Sequence, residues 1–358
     1  MARIDTFLRI AFDQRASDMH FHAGKVPAIR HLGDIVRLPY RRLGAHDARA
    51  FIDEVLTPKQ QERLERDQQI DFLYEVPGLA RFRAAIYAQS DGLGAVFRVV
   101  PASVPSAEEI RVPHAVQQLM TSSNGLVLVT GPTGSGKSTT VAALVDRINR
   151  TQTRHVVTIE DPIEYLHTPV RSVITQREIG RDAATFGSAL RSALREAPDV
   201  LIVGEVRDYE TVHMLLSAAE AGVLVLATLH TGSASKAVDR LVGACPADVQ
   251  DQVRTTLAIV LRGVVAQRLC KLASHSGRVA AMEVLLPSHA VSHLIRENKL
   301  HQVDSYLRSG EQLAGGSRSL EHALAELVAS GEVEERVALL QANDPDALRD
   351  MIARGGAP

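Results

Sequence analysis

The chain has 358 residues, enough for two or three domains, and its 45% hydrophobic and 23% charged residues are typical of a soluble globular protein. A net charge of −2, no tryptophan and only 4% aromatic residues argue against binding of nucleic acid, which needs a basic surface or side chains that stack on bases. The 2 cysteines have no C-x-x-C spacing, which argues for a reducing compartment and against a structural zinc site.

The sequence shows no sign of a membrane span. No run approaches the roughly 18 apolar residues of a spanning helix, and the N-terminus lacks the continuous apolar segment of a signal peptide. We therefore expect a cytoplasmic protein that reaches a membrane only through partners.

Residues 1–100 are predicted to form a small α+β domain around an antiparallel sheet. His20 and His22 fall on one face of its first strand, and we interpret them as strand residues because no third metal ligand is suitably spaced. Helical spacing of apolar residues predicts helices over 4–12, 47–56 and 58–66, and alternating or short apolar runs predict strands over 19–22, within 26–38, and over 71–76, 81–87 and 94–100.

The pattern changes after Pro101–Ser106, a short segment with two prolines and two serines, and we assign residues 101–112 to a linker or hinge. Residues 113–286 alternate between strand and helix, which predicts a parallel α/β sheet, and residues 287–358 are predicted to be helical with a frayed end. Beyond the first strand and helix, we expect strands over 155–159, 200–203, 223–229, 263–269 and 279–286 and helices over 185–196, 209–221, 233–243 and 247–262.

The most specific motif is a glycine-rich loop between an apolar strand, residues 126–130, and a helical pattern, residues 139–148, as a phosphate-binding P-loop requires. Backbone N–H groups of such a loop and of the following helix attract phosphate. Lys137 would reach the β- and γ-phosphates of ATP, and the Ser138 hydroxyl would be a ligand of Mg²⁺. The predicted nucleotide-binding residues are Gly131, Pro132, Thr133, Gly134, Ser135, Gly136, Lys137, Ser138 and Thr139.

Carboxylates follow two of the predicted strands, at the sheet edge where ligands bind in open α/β folds. Glu160 and Glu164 follow the strand 155–159 and can orient water or hold Mg²⁺, although a solvated acidic turn explains them equally well. Glu205 follows the strand 200–203, with Gly204 at the position where an aspartate is usual. We expect Glu205 to take the Mg²⁺ side of the site, directly or through water.

The strand 223–229 runs into Thr228-Leu229-His230-Thr231 and should neighbour the P-loop strand. His230 would then sense the γ-phosphate, unless it is only a satisfied histidine at a strand end.

Arginines supply a further set of candidates. Arg81, Arg83 and Arg98, on two strands of the first domain, can complete a phosphate site from a second domain or serve as surface ion pairs. Arg191 and Arg195, four residues apart in the helix 185–196, would share a helix face.

Taken together, these motifs resemble the type II/IV secretion ATPase superfamily, and within it the ATPases that retract type IV pili. The similarity extends over residues 1–340. The matching segments are Ala16–His20, Pro77–Arg83, Gly94–Arg98, the P-loop, Thr158–Glu164, Gln176–Glu178, Ala189–Glu196, Gly204-Glu205, Thr228–Thr231 and Leu294–Glu297.

The resemblance implies a PAS-like N-terminal domain, a RecA-like P-loop ATPase domain and a homohexameric ring. It implies ATP and Mg²⁺ as cofactors, Glu160 and Glu164 handling water and metal, Glu205 in the Walker B role, and first-domain arginines completing each site. ATP hydrolysis would drive pilus disassembly and twitching motility through an inner-membrane platform protein, from the cytoplasmic face of the membrane. A paralogous pilus ATPase is a second candidate partner.

Some positions depart from the family pattern. Val223 stands where a second histidine is usual, Ala197 and Ala85 replace an acid and an asparagine, and the segment Ala290–Glu297 differs from the retraction signature. These departures leave two alternatives open: an accessory or regulatory ring subunit with weak turnover, or a secretion or filament-assembly ATPase of the same superfamily. The absence of a tetracysteine insertion favours the retraction type.

Overall fold

The computed structural model describes residues 2–100, 103–309 and 315–354. They form two compact units, Met1–Ser103 and Val104–Pro358. Residues 101 and 102 of the predicted linker and the frayed end, residues 355–358, lie outside the described residues. The further division at residue 286 stays a prediction.

The first unit is built on a six-stranded sheet in which every neighbouring pair is antiparallel, in the order β3-β2-β1-β6-β5-β4. Its strands are β1 (Asp18–His22), β2 (Ala28–His31), β3 (Asp34–Arg37), β4 (Gln69–Val76), β5 (Ala80–Gln89) and β6 (Gly92–Val100). Its helices are α1 (Ile4–Asp13), α2 (Ala45–Asp53) and α3 (Pro58–Asp67).

The two faces of this sheet differ because side chains alternate along each strand. One face buries Phe21, Phe82 and Phe97 in a core with residues of α1 and α2, among them Leu8 and Ile52. The other face carries polar residues that alternate with the buried ones along the strands. They are His20 and His22 on β1, Arg81 and Arg83 on β5, and Arg98 on β6.

The second unit is built on a seven-stranded sheet in the order β13-β12-β7-β11-β10-β8-β9. All neighbours are parallel except β13, which runs antiparallel to β12. The strands are β7 (Gly125–Thr130), β8 (His155–Glu160), β9 (Val173–Glu178), β10 (Val200–Val203), β11 (Leu224–Leu229), β12 (Leu261–Lys271) and β13 (Arg278–Leu285).

Helices cover both faces of this sheet, so its central strands β7, β10 and β11 are buried throughout and read as continuous apolar runs. One apolar core packs the sheet against α5 and a second against α6–α9. The helices are α4 (His114–Leu119), α5 (Lys137–Thr151), α6 (Phe186–Ala193), α7 (Tyr209–Glu220), α8 (Ala234–Gly243), α9 (Gln250–Val260), α10 (His289–Arg296), α11 (His301–Arg308), α12 (Leu320–Ala329), α13 (Glu335–Gln341) and α14 (Pro345–Ala353).

The structure confirms the mixed α/β architecture and the helical C-terminal region, and it corrects some details. Strand β9 was missed, because it is a polar edge strand without apolar alternation. The prediction that Arg191 and Arg195 share a helix face is wrong: α6 ends at Ala193. The helix stops there because the chain turns at Ala197, with a φ of 51°, before Pro198, and Arg191 forms an ion pair with Glu210.

Within the described part of the chain, no helix is both long enough and apolar enough to cross a bilayer.

The aromatic core should dominate the stability of the first unit. Phe82 is fully buried, and Phe82→Ala should lower the free energy of unfolding of this unit by about 3–5 kcal/mol, because it leaves a cavity between the sheet and its helices. Urea denaturation followed by circular dichroism measures this change. Val36→Ala, at a strand position that is 46% exposed, is the control and should change stability by less than about 0.5 kcal/mol. Equal losses would contradict the assignment of the core.

Candidate functional site

The glycine-rich loop connects β7 to α5, which begins at Lys137. Gly131 must be glycine, because a Cβ there would lie 2.5 Å from the Gln267 carbonyl oxygen and 2.5 Å from Ser135 Oγ. Gly136 precedes α5 with a φ of 88°, in the left-handed region. The loop therefore has the close backbone approach and the helix N-terminus that a phosphate site needs.

Gln267 of β12 forms a hydrogen bond to the backbone of this loop. Its side chain is 2% exposed, and its Nε2 donates a hydrogen bond of 2.5 Å to the carbonyl oxygen of Ser135. Gln267 Oε1 and Ser135 Oγ are buried atoms without a hydrogen-bond partner among the described residues. Gln267 was not predicted from the sequence; the available signal was the polar pair Gln267 and Arg268 directly after the apolar run 263–266.

Lys137, His230 and Glu205 converge at the carboxyl edge of the sheet. Lys137 Nζ donates to the carbonyl oxygens of Gly131 (2.9 Å) and Pro132 (3.1 Å) and lies 3.3 Å from His230 Nδ1. His230 Nε2 lies 3.7 Å from Glu205 Oε1. The three side chains therefore form a chain from the loop to the end of β10, as their positions in the sequence predicted.

The chemistry of the ammonium group fixes the tautomer of His230. An ammonium group can only donate, so Nδ1 accepts and the ring proton lies on Nε2, toward Glu205. Burial, with help from Lys137, lowers the pKa of His230, which keeps the ring neutral. Burial also lowers the pKa of Lys137, although Glu164 and Glu205 oppose this effect.

Arg207 is a site residue that sequence analysis did not select. Its Nη2 donates a hydrogen bond of 2.7 Å to Glu205 Oε2, and this bond lowers the pKa of Glu205. Its spacing, two residues after Glu205, was the only signal.

Glu160 ends β8 in a different environment. It accepts hydrogen bonds from Thr158 Oγ1 (2.7 Å) and Gln176 Nε2 (3.4 Å), yet burial raises its pKa to about 7. The charge of Glu164 also acts on Glu160 and contributes to raising its pKa. A carboxyl with a pKa near 7 can exchange a proton at neutral pH, as a general base must.

Ser138 and Glu160 line a small cavity of about 40 Å³ with Tyr165 and Gly204. The hydroxyl and carboxylate oxygens here are the type of donor that Mg²⁺ prefers. Among the described residues, no group of three or more acids, histidines or cysteines forms a complete metal cage. In phosphate sites Mg²⁺ usually takes one or two protein ligands, with water and phosphate oxygens for the rest, and the Ser138 hydroxyl is a donor of that type.

Hydrogen bonds between two pairs of residues connect the carboxyl ends of β7, β10 and β11. Thr130 Oγ1, at the end of β7, accepts from the Thr231 N–H (2.9 Å) and lies 2.7 Å from Thr231 Oγ1. Thr228 Oγ1 donates to the carbonyl oxygen of Gly204. The positions of His230 and Glu205 are therefore tied to the P-loop strand. Thr139, the last of the predicted nucleotide-binding residues, has its hydroxyl 2.9 Å from the Tyr165 hydroxyl.

Helix α8 starts directly after this edge and connects it to the C-terminal helices. The Ala234 N–H donates a hydrogen bond of 2.6 Å to Glu283 Oε1, and Ser235 Oγ donates one of 2.7 Å to Asp304 of α11. Burial raises the pKa of Glu283 to about 7. The segment after His230 is thus anchored at both of its first helical residues.

The three predicted arginines belong to the first unit. Arg83 of β5 lies directly opposite Arg98 of β6 in the sheet register, and Arg81 is two residues before Arg83 on the same face. Arg98 Nε donates a hydrogen bond of 2.8 Å to Asp18 Oδ1. Two like charges directly opposite each other destabilise a strand pair, and the Asp18 carboxylate offsets this repulsion at Arg98.

Glu160 should make stability depend on pH. Its pKa is raised in the folded protein from 4.5 to about 7, so the stability that the protonated form contributes is lost as pH rises from 4.5 to 7. Glu160→Gln should remove this loss, and the difference in unfolding free energy between variant and wild type should grow by up to about 3 kcal/mol over that range. Denaturant unfolding at several pH values measures it, with the exposed Glu62→Gln as control; parallel curves for Glu160→Gln and wild type would refute the assignment.

Comparisons with known proteins agree with this site. Over 343 residues, covering 96% of this chain and 99% of the relative, the chain is 43% identical to the type IV pilus retraction ATPase PilT of Pseudomonas aeruginosa. It is 42% identical over 322 residues to a twitching motility protein of Neisseria gonorrhoeae, covering 90% and 86% of the two chains. It is 35% identical over 352 residues to the type IV pilus ATPase PilU of P. aeruginosa, covering 98% and 91%.

Solved structures give the same result. The crystal structure of the pilus retraction motor PilT with bound ADP matches with a TM-score of 0.87 and 41% identity, covering 98% of this chain and 100% of that one. The ATPase DotB of Legionella pneumophila matches with a TM-score of 0.84 and 27% identity, covering 94% of both chains. Residues 3–283 match the family model of type II/IV secretion system proteins. The resemblance seen in the sequence is confirmed: the chain belongs to the type II/IV secretion system protein family.

Proposed function

We propose that this protein is a Mg²⁺-dependent ATPase that drives the retraction of a type IV pilus. The observation that carries the proposal is the convergence of Lys137, His230 and Glu205 at a P-loop, in a chain that is 43% identical to PilT over nearly the full length of both proteins. Relatives that match over most of the chain are named as type IV pilus ATPases and as a twitching motility protein.

Residues 131–139 would bind the phosphates of ATP. Lys137 would exchange its hydrogen bonds to the carbonyls of Gly131 and Pro132 for the β- and γ-phosphates, and the Ser138 hydroxyl and Glu205 would hold Mg²⁺, in part through water. Bound Mg²⁺ would neutralise charge on the β- and γ-phosphate oxygens.

Glu160 is the proposed general base, with Glu164 beside it to position the attacking water. The raised pKa of Glu160 suits this residue to accept a proton as water attacks the γ-phosphorus and the bond to the leaving ADP oxygen breaks. His230 would report the γ-phosphate through its contact with Lys137, because loss of phosphate returns the ammonium to Nδ1.

Arg81, Arg83 and Arg98 are proposed to complete the site and to stabilise the charge on the transferred phosphoryl group. Arg98 is already paired with Asp18, whereas Arg81 and Arg83 form no ion pair among the described residues and are free to contact an anion. In a homohexameric ring, nucleotide would bind between the domains, with residues 1–100 and 113–286 moving about the hinge at 101–112. We propose that the ring acts in the cytoplasm on a platform protein of the inner membrane.

An accessory role, like that of a PilU-type ring subunit, is the second candidate. The chain is 35% identical to PilU over 98% of its length, and Val223 and the segment Ala290–Glu297 depart from the retraction pattern. Val223 directly precedes β11, and residues of α10 pack in the core beside α9, so these changes lie outside the Lys137–His230–Glu205 chain. A paralogous pilus ATPase would then be the partner that supplies most of the turnover.

Removing the carboxylate at Glu205 should abolish turnover. Glu205→Gln should lower kcat for ATP by at least about 10²-fold, because the neutral amide no longer serves the Mg²⁺ side of the site. A phosphate-release assay on the purified full-length protein measures this, with Glu220→Gln, an exposed position in α7, as the control. If wild type is no faster than Glu205→Gln, the motor role fails and the accessory role is favoured.

The first-unit arginines should affect turnover without affecting binding at the P-loop. The double variant Arg81→Ala/Arg83→Ala should lower kcat. The decrease should approach the roughly 10³–10⁵-fold that an arginine contributes when a second domain supplies it to a phosphoryl-transfer site. The affinity for a fluorescent ADP analogue should stay near that of wild type. Arg63→Ala/Arg66→Ala in α3 is the matched control, since it removes two exposed arginines from the same unit. Unchanged turnover in the first variant would refute the arginine role alone.

A further inference from the structure

A cavity lies in the first unit, and every residue that lines it belongs to that unit. It has a volume of about 450 Å³, within the roughly 300–1,000 Å³ range of small-molecule sites. We call it the cationic pocket, and the polar side chains that line it are those of His20, His22, Lys25, Arg30, Arg37 and Arg42. Val26, Ala28 and Ile35 supply its apolar lining.

The charge of the cationic pocket is only partly compensated. No carboxylate is among its lining residues. Arg30 is partly neutralised, because its Nε lies 3.7 Å from Asp18 and its Nη1 donates to the Gly33 carbonyl oxygen at 2.7 Å. In the part of the chain that the structure describes, the side chains of Lys25, Arg37 and Arg42 form no ion pair or hydrogen bond.

The neighbouring Arg41 makes the contrast clear. Arg41 forms an ion pair of 2.7 Å with Asp47, although Arg42 beside it has no such partner. Three free cations around one cavity repel each other, and an anion bound among them would remove that repulsion.

The histidines provide a second, independent observation. His20 Nε2 is buried and, among the described residues, has no hydrogen-bond partner, whereas His22 Nε2 lies 2.9 Å from the Tyr87 hydroxyl. Burial lowers the pKa of both rings. A neutral imidazole can donate to or accept from a ligand, and a buried ring nitrogen without a partner costs free energy until one is supplied.

We propose that the cationic pocket binds a small molecule that carries a phosphate group. Guanidinium groups match phosphate oxygens with two parallel hydrogen bonds, which suits Arg37 and Arg42 to this group. The volume exceeds that of a single phosphate ion, and Val26 and Ile35 offer an apolar surface for an organic portion. A free phosphorylated molecule and a lipid headgroup present the same chemistry, and the inference stands independently of the proposed function.

The test uses the full-length protein in a Lys137→Ala background, so that the P-loop does not bind the probe. Calorimetric titrations with pyrophosphate and with adenosine monophosphate form one arm. Flotation with phosphatidylcholine vesicles, with and without phosphatidylglycerol, forms the other. Arg37→Ala/Arg42→Ala should weaken binding of the responsive probe by at least about tenfold, and Arg41→Ala/Arg66→Ala should leave it unchanged.

Binding of a soluble probe with this mutational response supports a free phosphorylated ligand, and binding only to the anionic vesicles supports a lipid headgroup. Equal binding by both double variants, or binding of none of the probes, overturns the proposal. A change of oligomeric state in Arg37→Ala/Arg42→Ala without any probe binding also overturns it, in favour of an acidic surface on a second copy of the chain. Lys25→Ala, at an exposed position, repeats the test if the double variant unfolds.

Discussion

The positive charge of Lys137 is the constraint on which the site in the second unit depends. A buried ammonium must be satisfied, and here two loop carbonyls and the ring of His230 do so. These contacts hold the carbonyl groups of the P-loop against the Lys137 ammonium. Glu205 pairs with Arg207 and not with the lysine. Both charges at the centre of the site thus have protein partners, which phosphate and metal would replace on binding.

The two carboxylates at the sheet edge have opposite electrostatic environments. Arg207 lowers the pKa of Glu205, whereas burial raises the pKa of Glu160 to about 7. A carboxyl with a lowered pKa suits a cation, and one that titrates near neutrality suits a proton. The proposed division of roles rests on the neighbours of each residue and not on the residue type, since both are glutamates at or just after strand ends.

Much of this arrangement could be predicted from the sequence because its determinants are local. A strand, a glycine-rich loop and a helix are contiguous in the chain, and apolar runs mark the buried strands β10 and β11, of which β11 lies beside β7 as expected. Gln267 could not be predicted in this way, because its hydrogen bond joins residues 132 positions apart. The edge strand β9 was not predicted because most of its residues are polar. Arg207 was not predicted because no spacing rule distinguishes it from a surface arginine.

The anchoring of α8 has a mechanical consequence. Thr231 is bonded to the P-loop strand, and three residues later the backbone is bonded to the buried Glu283, with Ser235 bonded to Asp304. The connection from His230 to the C-terminal helices is therefore short and is held by hydrogen bonds at both ends. A displacement of His230 would therefore strain the hydrogen bonds to Glu283 of β13 and Asp304 of α11.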